Sequence, residues 1–295
     1  SAGRSVTFMD FDELNKIVRA ELPEYEVKVE KVEKYGGPQT GIGLIHSGSE
    51  NARGITVTAC IYLEDFQDHF TEEKLAARKM FEILKDNLNP KINPQLIEQM
   101  RDREFLKKNV LPQLVGFDGN EDYLKDKPHR KFLDLAIIYR LILEKSENTS
   151  AVITNRILQQ FELNEEDLYK MSMENLSNHS FEVISLVEIL AADGIPRDLL
   201  PDTSMRVGIC RDYAFGAVMM LFPGLLSNIA EEFGNDVIIL PSSIYEILLV
   251  DPKTILDKDA KGVVKQVNVE AVKPAEKLSD SAYKYDRKTG NIFIL

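Results

Sequence analysis

His129 is the residue of this sequence whose type and setting best fit acid-base chemistry. It lies in the phrase PHRK, directly before the apolar residues 132–143, so a titratable ring and two cations precede a buried element. Asp134 could orient that ring, and a histidine held by a carboxylate can act as a general acid or base or bind an anion. The simpler interpretation is that His129 caps or packs at the entrance of the element, which is the commoner role of a histidine near a loop.

Arg211 and Asp212 form a second candidate pair, because they follow directly after a predicted strand. Turns at strand ends often carry functional groups on a rigid scaffold. A turn-stabilising aspartate beside a solvated arginine explains the pair equally well. The enzyme hypothesis is therefore a hydrolase or transferase that uses His129 with Asp134, or His129 with Asp212 and Arg211, and it requires these groups to converge in one pocket.

The sequence predicts neither a cofactor nor a metal. Gly41 and Gly43 resemble half of a dinucleotide fingerprint, but His46 stands where the third glycine belongs. The phosphate-loop, HExxH and GxSxG motifs are absent from the sequence. No two of the four histidines are three or four residues apart, so a local metal pair is missing, although a site assembled from distant elements stays open. Cys60 and Cys210 are far apart and are interpreted as free thiols.

Composition and charge exclude several classes of partner. Lysine and arginine number 36 against 48 acidic residues, a formal charge of -12, and such a surface repels phosphate backbones and anionic lipids. Nucleic acid is therefore an unlikely partner. The longest apolar run, residues 214–226, is too short and too interrupted to span a bilayer, and the first residues lack the apolar run of a signal peptide, so we expect a cytoplasmic protein without a membrane partner. The charge alone suggests one further hypothesis, an acidic accessory factor of mobile DNA.

The pattern of apolar residues predicts strands in hairpins and meanders with helices between them. Such an order favours an α+β fold of mostly antiparallel sheets, with helices packed on one face and two lobes. The first lobe, residues 1–108, contains a helix, a β-meander and further helices. The second, residues 109–295, is a larger α+β core with a C-terminal hairpin, and residues 109–131 are predicted to form an irregular hinge.

Several elements are predicted with definite ends. Asn164 caps a helix that reaches about Leu176, and Gly234 ends another that starts at Pro223. Further helices are predicted over residues 7–22, 71–88, 95–108 and 259–267. Strands are predicted over residues 55–61, 132–143 and 205–210, and a hairpin over 282–295.

Phrases spread over nearly the whole chain resemble a bacterial family known only as domain of unknown function 5688, met mostly in gut-type Gram-positive bacteria. They are Ile61-Tyr62-Leu63 with Phe66, HRKFLDLA from His129, Phe222-Pro223-Gly224, ILPSSIYEIL from Ile239, and Leu278-Ser279-Asp280 with YKYDR from Tyr283. The resemblance implies a bacterial cytosolic setting, but the family brings no activity, substrate or catalytic residues. One position departs from the family's phrase, because Tyr245 stands where the family has histidine.

The leading hypothesis is a non-catalytic binding or regulatory protein. It would recognise a protein or a small-molecule ligand, of unknown identity, through the cleft between its two lobes. The motivation is that familiar catalytic and cofactor patterns are missing while residues 205–251 specify an apolar core.

Overall fold

The computed structural model describes residues 10–46, 60–63, 77–86, 99, 101–144, 149–201, 203–241 and 243–295 of the 295-residue chain. The chain divides into two compact units, Ser1–Pro94 and Gln95–Leu295. The boundary predicted from the sequence, after Lys108, falls inside the second of these units.

The first unit consists of a small antiparallel sheet and two helices. Its elements are α1 Phe11–Glu21, β1 Tyr25–Lys34, β2 Gly37–His46, β3 Cys60–Tyr62 and α2 Ala77–Asp86. Strand β2 lies between β1 and β3, so Gly41 and Gly43 lie within a paired strand and not in a nucleotide-binding turn. The buried faces of the two helices and β2 form its core, built from Leu14, Val18, Ile42, Met80 and Phe81.

The helix ends of this unit follow from local chemistry where they are described. Asp10 begins α1 by accepting a hydrogen bond from the Glu13 N–H at 3.0 Å, which satisfies one of the free donors of the first turn. Residues 71–76, predicted as the start of a helix over 71–88, and residues 55–59, predicted as strand, lie outside the described residues.

The second unit is larger and contains two antiparallel sheets. Its first half comprises α3 Arg103–Asn109, β4 Val110–Gly116, α4 Glu121–Leu124, β5 Arg130–Phe132, β6 Leu135–Glu144, β7 Thr149–Val152, α5 Asn155–Gln160 and α6 Glu165–Leu176. Its second half comprises β8 Phe181–Ser185, α7 Leu186–Ala192, β9 Arg206–Cys210, α8 Pro223–Phe233, β10 Val237–Leu240, β11 Ile247–Val250, α9 Asp257–Glu270, β12 Tyr283–Tyr285 and β13 Ile292–Ile294. Two short 3-10 helices, Arg197–Leu199 and Gly216–Leu221, complete it.

Strand β6 is the centre of a four-stranded sheet. Strand β4 pairs along one side of β6, and β5 and β7 pair with its first and last residues. The predicted hinge at residues 109–131 is therefore wrong, because its apolar part is the buried strand β4. Pro112 is compatible with this strand, because a proline without a backbone donor is tolerated on an edge strand such as β4.

The second sheet has six strands in the order β13-β12-β10-β11-β9-β8, and each neighbouring pair is antiparallel. The predicted helices that flank these sheets are confirmed at their ends. Asn164 and Asp167 form a reciprocal capping box at the start of α6, and Gly234 ends α8 in the left-handed conformation with φ of 65°. The α+β class with antiparallel sheets is thus confirmed. No helix of the described residues is long and apolar enough to cross a membrane.

Two glycines allow the 3-10 helix Gly216–Leu221 to lie directly against β9. A Cβ atom on Gly216 would collide with the Tyr245 carbonyl oxygen and lie 2.7 Å from the Cys210 backbone nitrogen. A Cβ atom on Gly208 would lie 2.6 Å from the sulfur of Met219, which is itself buried. Backbone atoms cannot retreat as a flexible side chain can, so the approach at Gly216 is the stricter of the two.

Gly216→Ala should lower the free energy of unfolding by about 2 kcal/mol or more, because overpacked backbone contacts must shift β9 or the turn at Tyr245. Gly262→Ala is the matched control: Gly262 is exposed in α9 with open space around it, so alanine should raise stability by about 0.5–1 kcal/mol through helix propensity. Chemical denaturation of both variants measures the difference. Equal stability of Gly216→Ala and the parent protein would contradict the close approach.

Candidate functional site

One face of the four-stranded sheet forms the floor of the candidate site. On this sheet Arg140 opposes Leu111 of β4 and Val152 of β7, and Ile142 opposes Ser150. Opposed and alternate residues of paired strands share a face. One face of the sheet therefore carries Leu111, Arg140, Ile142 and Ser150. Tyr139 lies on the opposite face and donates a hydrogen bond to Glu165 of α6, so the face with Arg140 points away from that helix.

The turn after β9 covers this face and encloses a recess. The recess is small, with a cavity volume of about 30 Å³, and it opens to solvent at its mouth. It is lined by Leu111, Ile142, Ser150, His179, Asp212, Tyr213, Ala214 and Phe215. Its wall thus comes from both sheets of the larger unit: three residues from the floor, and five from the turn after β9 and the end of the loop before β8.

Tyr213 connects the two sheets at the centre of the recess. Its ring is buried, and its hydroxyl donates a hydrogen bond to the Pro112 carbonyl oxygen at 3.0 Å. Burial raises the pKa of Tyr213 well above that of an exposed tyrosine, so the hydroxyl stays a neutral donor. The Pro112 carbonyl lies on the edge strand β4, where this hydroxyl satisfies it.

An aromatic row extends from Tyr213 to the surface. The ring centroids of His179 and Tyr213 are 6.0 Å apart, and those of Tyr213 and Phe215 are 5.5 Å apart. The Phe215 ring is stacked on the Tyr245 ring at 5.8 Å, and Tyr245 is 40% exposed. Rings arranged in this way present a rigid apolar wall to whatever enters the recess.

Arg140 contacts two residues that line the recess, Ser150 and Phe215, and is a half-buried cation without a carboxylate partner among the described residues. Its Nε donates to Ser150 Oγ at 2.9 Å, and its Nη1 donates to Gln113 Oε1 at 3.2 Å. Its Cζ lies 4.8 Å from the centroid of Phe215, within cation–π range. Neutral oxygens and a ring face hold this guanidinium in place, and no carboxylate in the described part of the chain pairs with its positive charge.

At the other end of the recess, His179, Cys210 and Asp212 bring three potential ligand atoms within 4.8 Å of one another. Asp212 Oδ1 lies 3.1 Å from His179 Nδ1 and 3.5 Å from Cys210 Sγ, and it accepts the Ser180 N–H at 3.2 Å. The Nδ1 atom is buried, yet its approach to Asp212 lacks the alignment of a hydrogen bond.

The charges of this cluster are set by its surroundings. Burial raises the pKa of the Cys210 thiol to about 11, and the negative charge of Asp212 adds to that shift. Burial alone would raise the pKa of Asp212 as well, but the Ser180 N–H and the His179 ring outweigh it and lower that pKa. In the absence of a bound cation, Cys210 is a protonated thiol at neutral pH and Asp212 is a carboxylate, so the thiol lacks the activation that a nucleophile needs.

The structure does not bring His129 together with its predicted partners. His129 Nδ1 contacts the Lys127 carbonyl oxygen at 2.9 Å, and its ring lies 6.1 Å from that of Phe117. None of the hydrogen bonds or ion pairs of the described residues joins His129 to Asp134, Arg211 or Asp212. His129 packs at the entrance of the sheet, as the simpler interpretation of the sequence expects.

Asp134 has a different role from the one proposed on the sequence. It lies in the tight turn between β5 and β6, next to Leu133, whose φ of 58° is unusual for a residue with a side chain. Its two carboxylate oxygens accept hydrogen bonds from Ser279 Oγ at 2.8 Å and Tyr283 OH at 2.7 Å. The carboxylate is therefore occupied in joining the first sheet to the second.

The side chains of Arg211 and Asp212, which are adjacent in the turn after β9, have different partners. Arg211 forms an ion pair with Glu182 on β8, whereas Asp212 faces His179 and the recess. Of the four sequence-predicted site residues, only Asp212 lines the recess.

Sequence reasoning missed Arg140 and the contact between His179 and Asp212. The signal for this contact was present, because His179 lies two residues before β8 and Asp212 lies two residues after the end of β9. Antiparallel pairing of Phe181 with Cys210 brings those two ends together. Finding it requires the strand register, which the sequence does not contain.

The chain belongs to a family of unknown function, DUF5688, which matches residues 10–287. No curated protein and no solved structure matches the chain. The family confirms the resemblance found in the sequence and carries no activity, so the recess itself has to support any functional conclusion.

Asp134→Asn should lower the free energy of unfolding by about 1–3 kcal/mol, because one of two hydroxyl donors then faces an amide NH2 in place of a charged acceptor. Asp118→Asn is the matched control, since Asp118 is exposed and makes no hydrogen bond or ion pair with the rest of the described chain. Urea denaturation of the two variants measures the effect. If both variants unfold at the same urea concentration, Asp134 does not join the sheets as described.

Proposed function

We propose that this protein is a non-catalytic binding protein that takes a small carboxylate-bearing ligand at the recess beside Arg140. The observation that carries the proposal is the uncompensated guanidinium of Arg140. A half-buried cation is favoured by a nearby negative charge, and a planar arginine binds a carboxylate through two parallel hydrogen bonds. An incoming carboxylate would supply the missing charge.

The remaining lining of the recess fits the apolar part of such a ligand. Ile142 and Leu111 lie on the floor and Phe215 forms a wall next to the cation, with Tyr245 stacked on the Phe215 ring. Binding sites for small molecules typically combine an apolar lining with a few polar groups that fix orientation. Tyr245 is the residue that departs from the family's phrase, and an aromatic ring there extends the wall.

Binding without catalysis is supported by the state of the potential nucleophiles. Cys210 is held as a thiol by burial, and Ser150 Oγ already accepts the Arg140 N–H. Among the described residues, no base makes a hydrogen bond to Ser150 that would activate it. The hydrolase or transferase hypothesis built on His129 has no contact to favour it. The cleft between two lobes, the cytoplasmic setting and the acidic accessory factor stay predictions.

Benzoate should bind the full chain and shift the Arg140 Nε–H resonance of the 15N-labelled protein in a saturable titration. Benzamide, a neutral molecule of the same shape, should bind at least tenfold more weakly, because it leaves the charge of Arg140 unmatched. Proton spectra of the same samples should show benzoate unchanged after prolonged incubation.

Arg140→Met should abolish the titration seen at the other recess resonances. Arg206→Met is the matched control, since Arg206 also lies over a ring, that of Phe233, but is ion-paired with Glu232 at the other end of β9. Ser150→Ala is a milder variant if Arg140→Met unfolds, and it should weaken binding. Equal affinities for benzoate and benzamide, or full binding by a folded Arg140→Met variant, would overturn the proposal.

A further inference from the structure

We infer that His179, Cys210 and Asp212 form a binding site for a thiolate-preferring divalent metal ion of the zinc class. The site lies at the end of the β8–β9 pair and is independent of the proposed carboxylate binding by Arg140. Cys210 is the last residue of β9, Asp212 follows in the turn, and His179 precedes β8. The ligands thus come from adjacent ends of two paired strands.

The distances between the three side chains fit one shared ion. Tetrahedral zinc with bond lengths of 2.0–2.3 Å places its nitrogen, oxygen and sulfur ligands about 3.3–3.6 Å from one another. Here the oxygen of Asp212 is 3.1 Å from the His179 nitrogen and 3.5 Å from the Cys210 sulfur, and the nitrogen and the sulfur are within 4.8 Å. Two of the three separations are already close to those of a metal site.

The buried nitrogen of His179 supplies the second, independent observation. The His179 side chain is only 10% exposed, and its Nδ1 has no aligned hydrogen-bond partner. An unpartnered buried polar atom is costly unless something satisfies it. Two ligand atoms of one ion direct their lone pairs at the ion and not at each other. In tetrahedral geometry each lone pair therefore makes an angle of about 35° with the line that joins the two ligand atoms. That arrangement brings Nδ1 and Oδ1 near each other without a hydrogen bond.

The environment keeps the site open to a cation. Arg211, the nearest arginine along the chain, turns away to pair with Glu182, so its charge does not occupy the cluster. The Ser180 N–H holds the Asp212 carboxylate in place, as outer hydrogen bonds do for metal-binding carboxylates. A divalent cation would also favour release of the Cys210 proton, since thiolate is the form that binds metal.

The ligand types select the class of metal. A sulfur, an imidazole nitrogen and a single carboxylate suit zinc or cobalt, whereas calcium and magnesium require mostly oxygen ligands. Three protein ligands leave a fourth position, as in zinc sites that bind water or a substrate group. His179 and Asp212 both line the recess, so an ion that they hold would lie beside it.

Cobalt titration of the full chain tests the site, because Co2+ bound to a thiolate gives a sulfur-to-metal charge-transfer band and tetrahedral cobalt gives intense visible bands. We expect one equivalent of Co2+ to produce both, and Zn2+ to abolish them by displacement. Zn2+ should also raise the melting temperature of the protein. Absence of the charge-transfer band with the folded protein would overturn the site.

Variants assign the ligands. Cys210→Ser should remove the charge-transfer band and weaken Zn2+ binding at least tenfold, and Cys60→Ser, which changes the other cysteine of the sequence, should leave both unchanged. His179→Gln and Asp212→Asn should each weaken Zn2+ binding at least tenfold, and they decide the matter if Cys210→Ser fails to fold. Three results would overturn the site: the band persists in Cys210→Ser, it is lost in Cys60→Ser, or Zn2+ affinity is unchanged in both His179→Gln and Asp212→Asn. The three residues would then be only a structural histidine–aspartate pair beside a thiol.

Discussion

The approach of the Gly216 backbone to β9 is the constraint on which the described site depends. Because no side chain separates Gly216 from Cys210 and Tyr245, the chain can reverse tightly after β9 and lie against both sheets of the larger unit. That reversal places Tyr213 over the Pro112 carbonyl and Phe215 over the Arg140 guanidinium. The recess is therefore a product of backbone proximity, and the aromatic residues that line it have little freedom to adjust.

Much of the fold follows from local patterns in the sequence, and the site does not. Helix α6 is marked by its cap and first-turn acids, and α8 by Pro223 and Gly234, so both helices were predicted with nearly their observed ends. Strand β4 was predicted as part of a hinge because its apolar run is short and a polar loop follows it. The partners of Asp134 and His179 depend on which strands pair and in which register, and such long-range information is invisible to a periodicity argument.

Two arginines of the same sheet illustrate how context decides what a charge does. Arg130 on β5 forms ion pairs with Glu165 and Glu166 of α6 and stacks on Tyr169, so carboxylates within the fold neutralise its charge. Arg140 on β6 is surrounded by neutral oxygens and an aromatic face. In a chain with a formal charge of -12, a cation that has no acidic partner among the described residues is informative, because acids are plentiful in the sequence.

Asp134 forms hydrogen bonds with residues that the ribosome synthesises much later than Asp134 itself. Asp134 belongs to the tight turn between β5 and β6, but its partners are Tyr283 on β12 and Ser279 in the loop before that strand. During synthesis the ribosome releases the turn well before those partners exist. The two hydrogen bonds that join the sheets at Asp134 can therefore form only after residue 283 has left the ribosome.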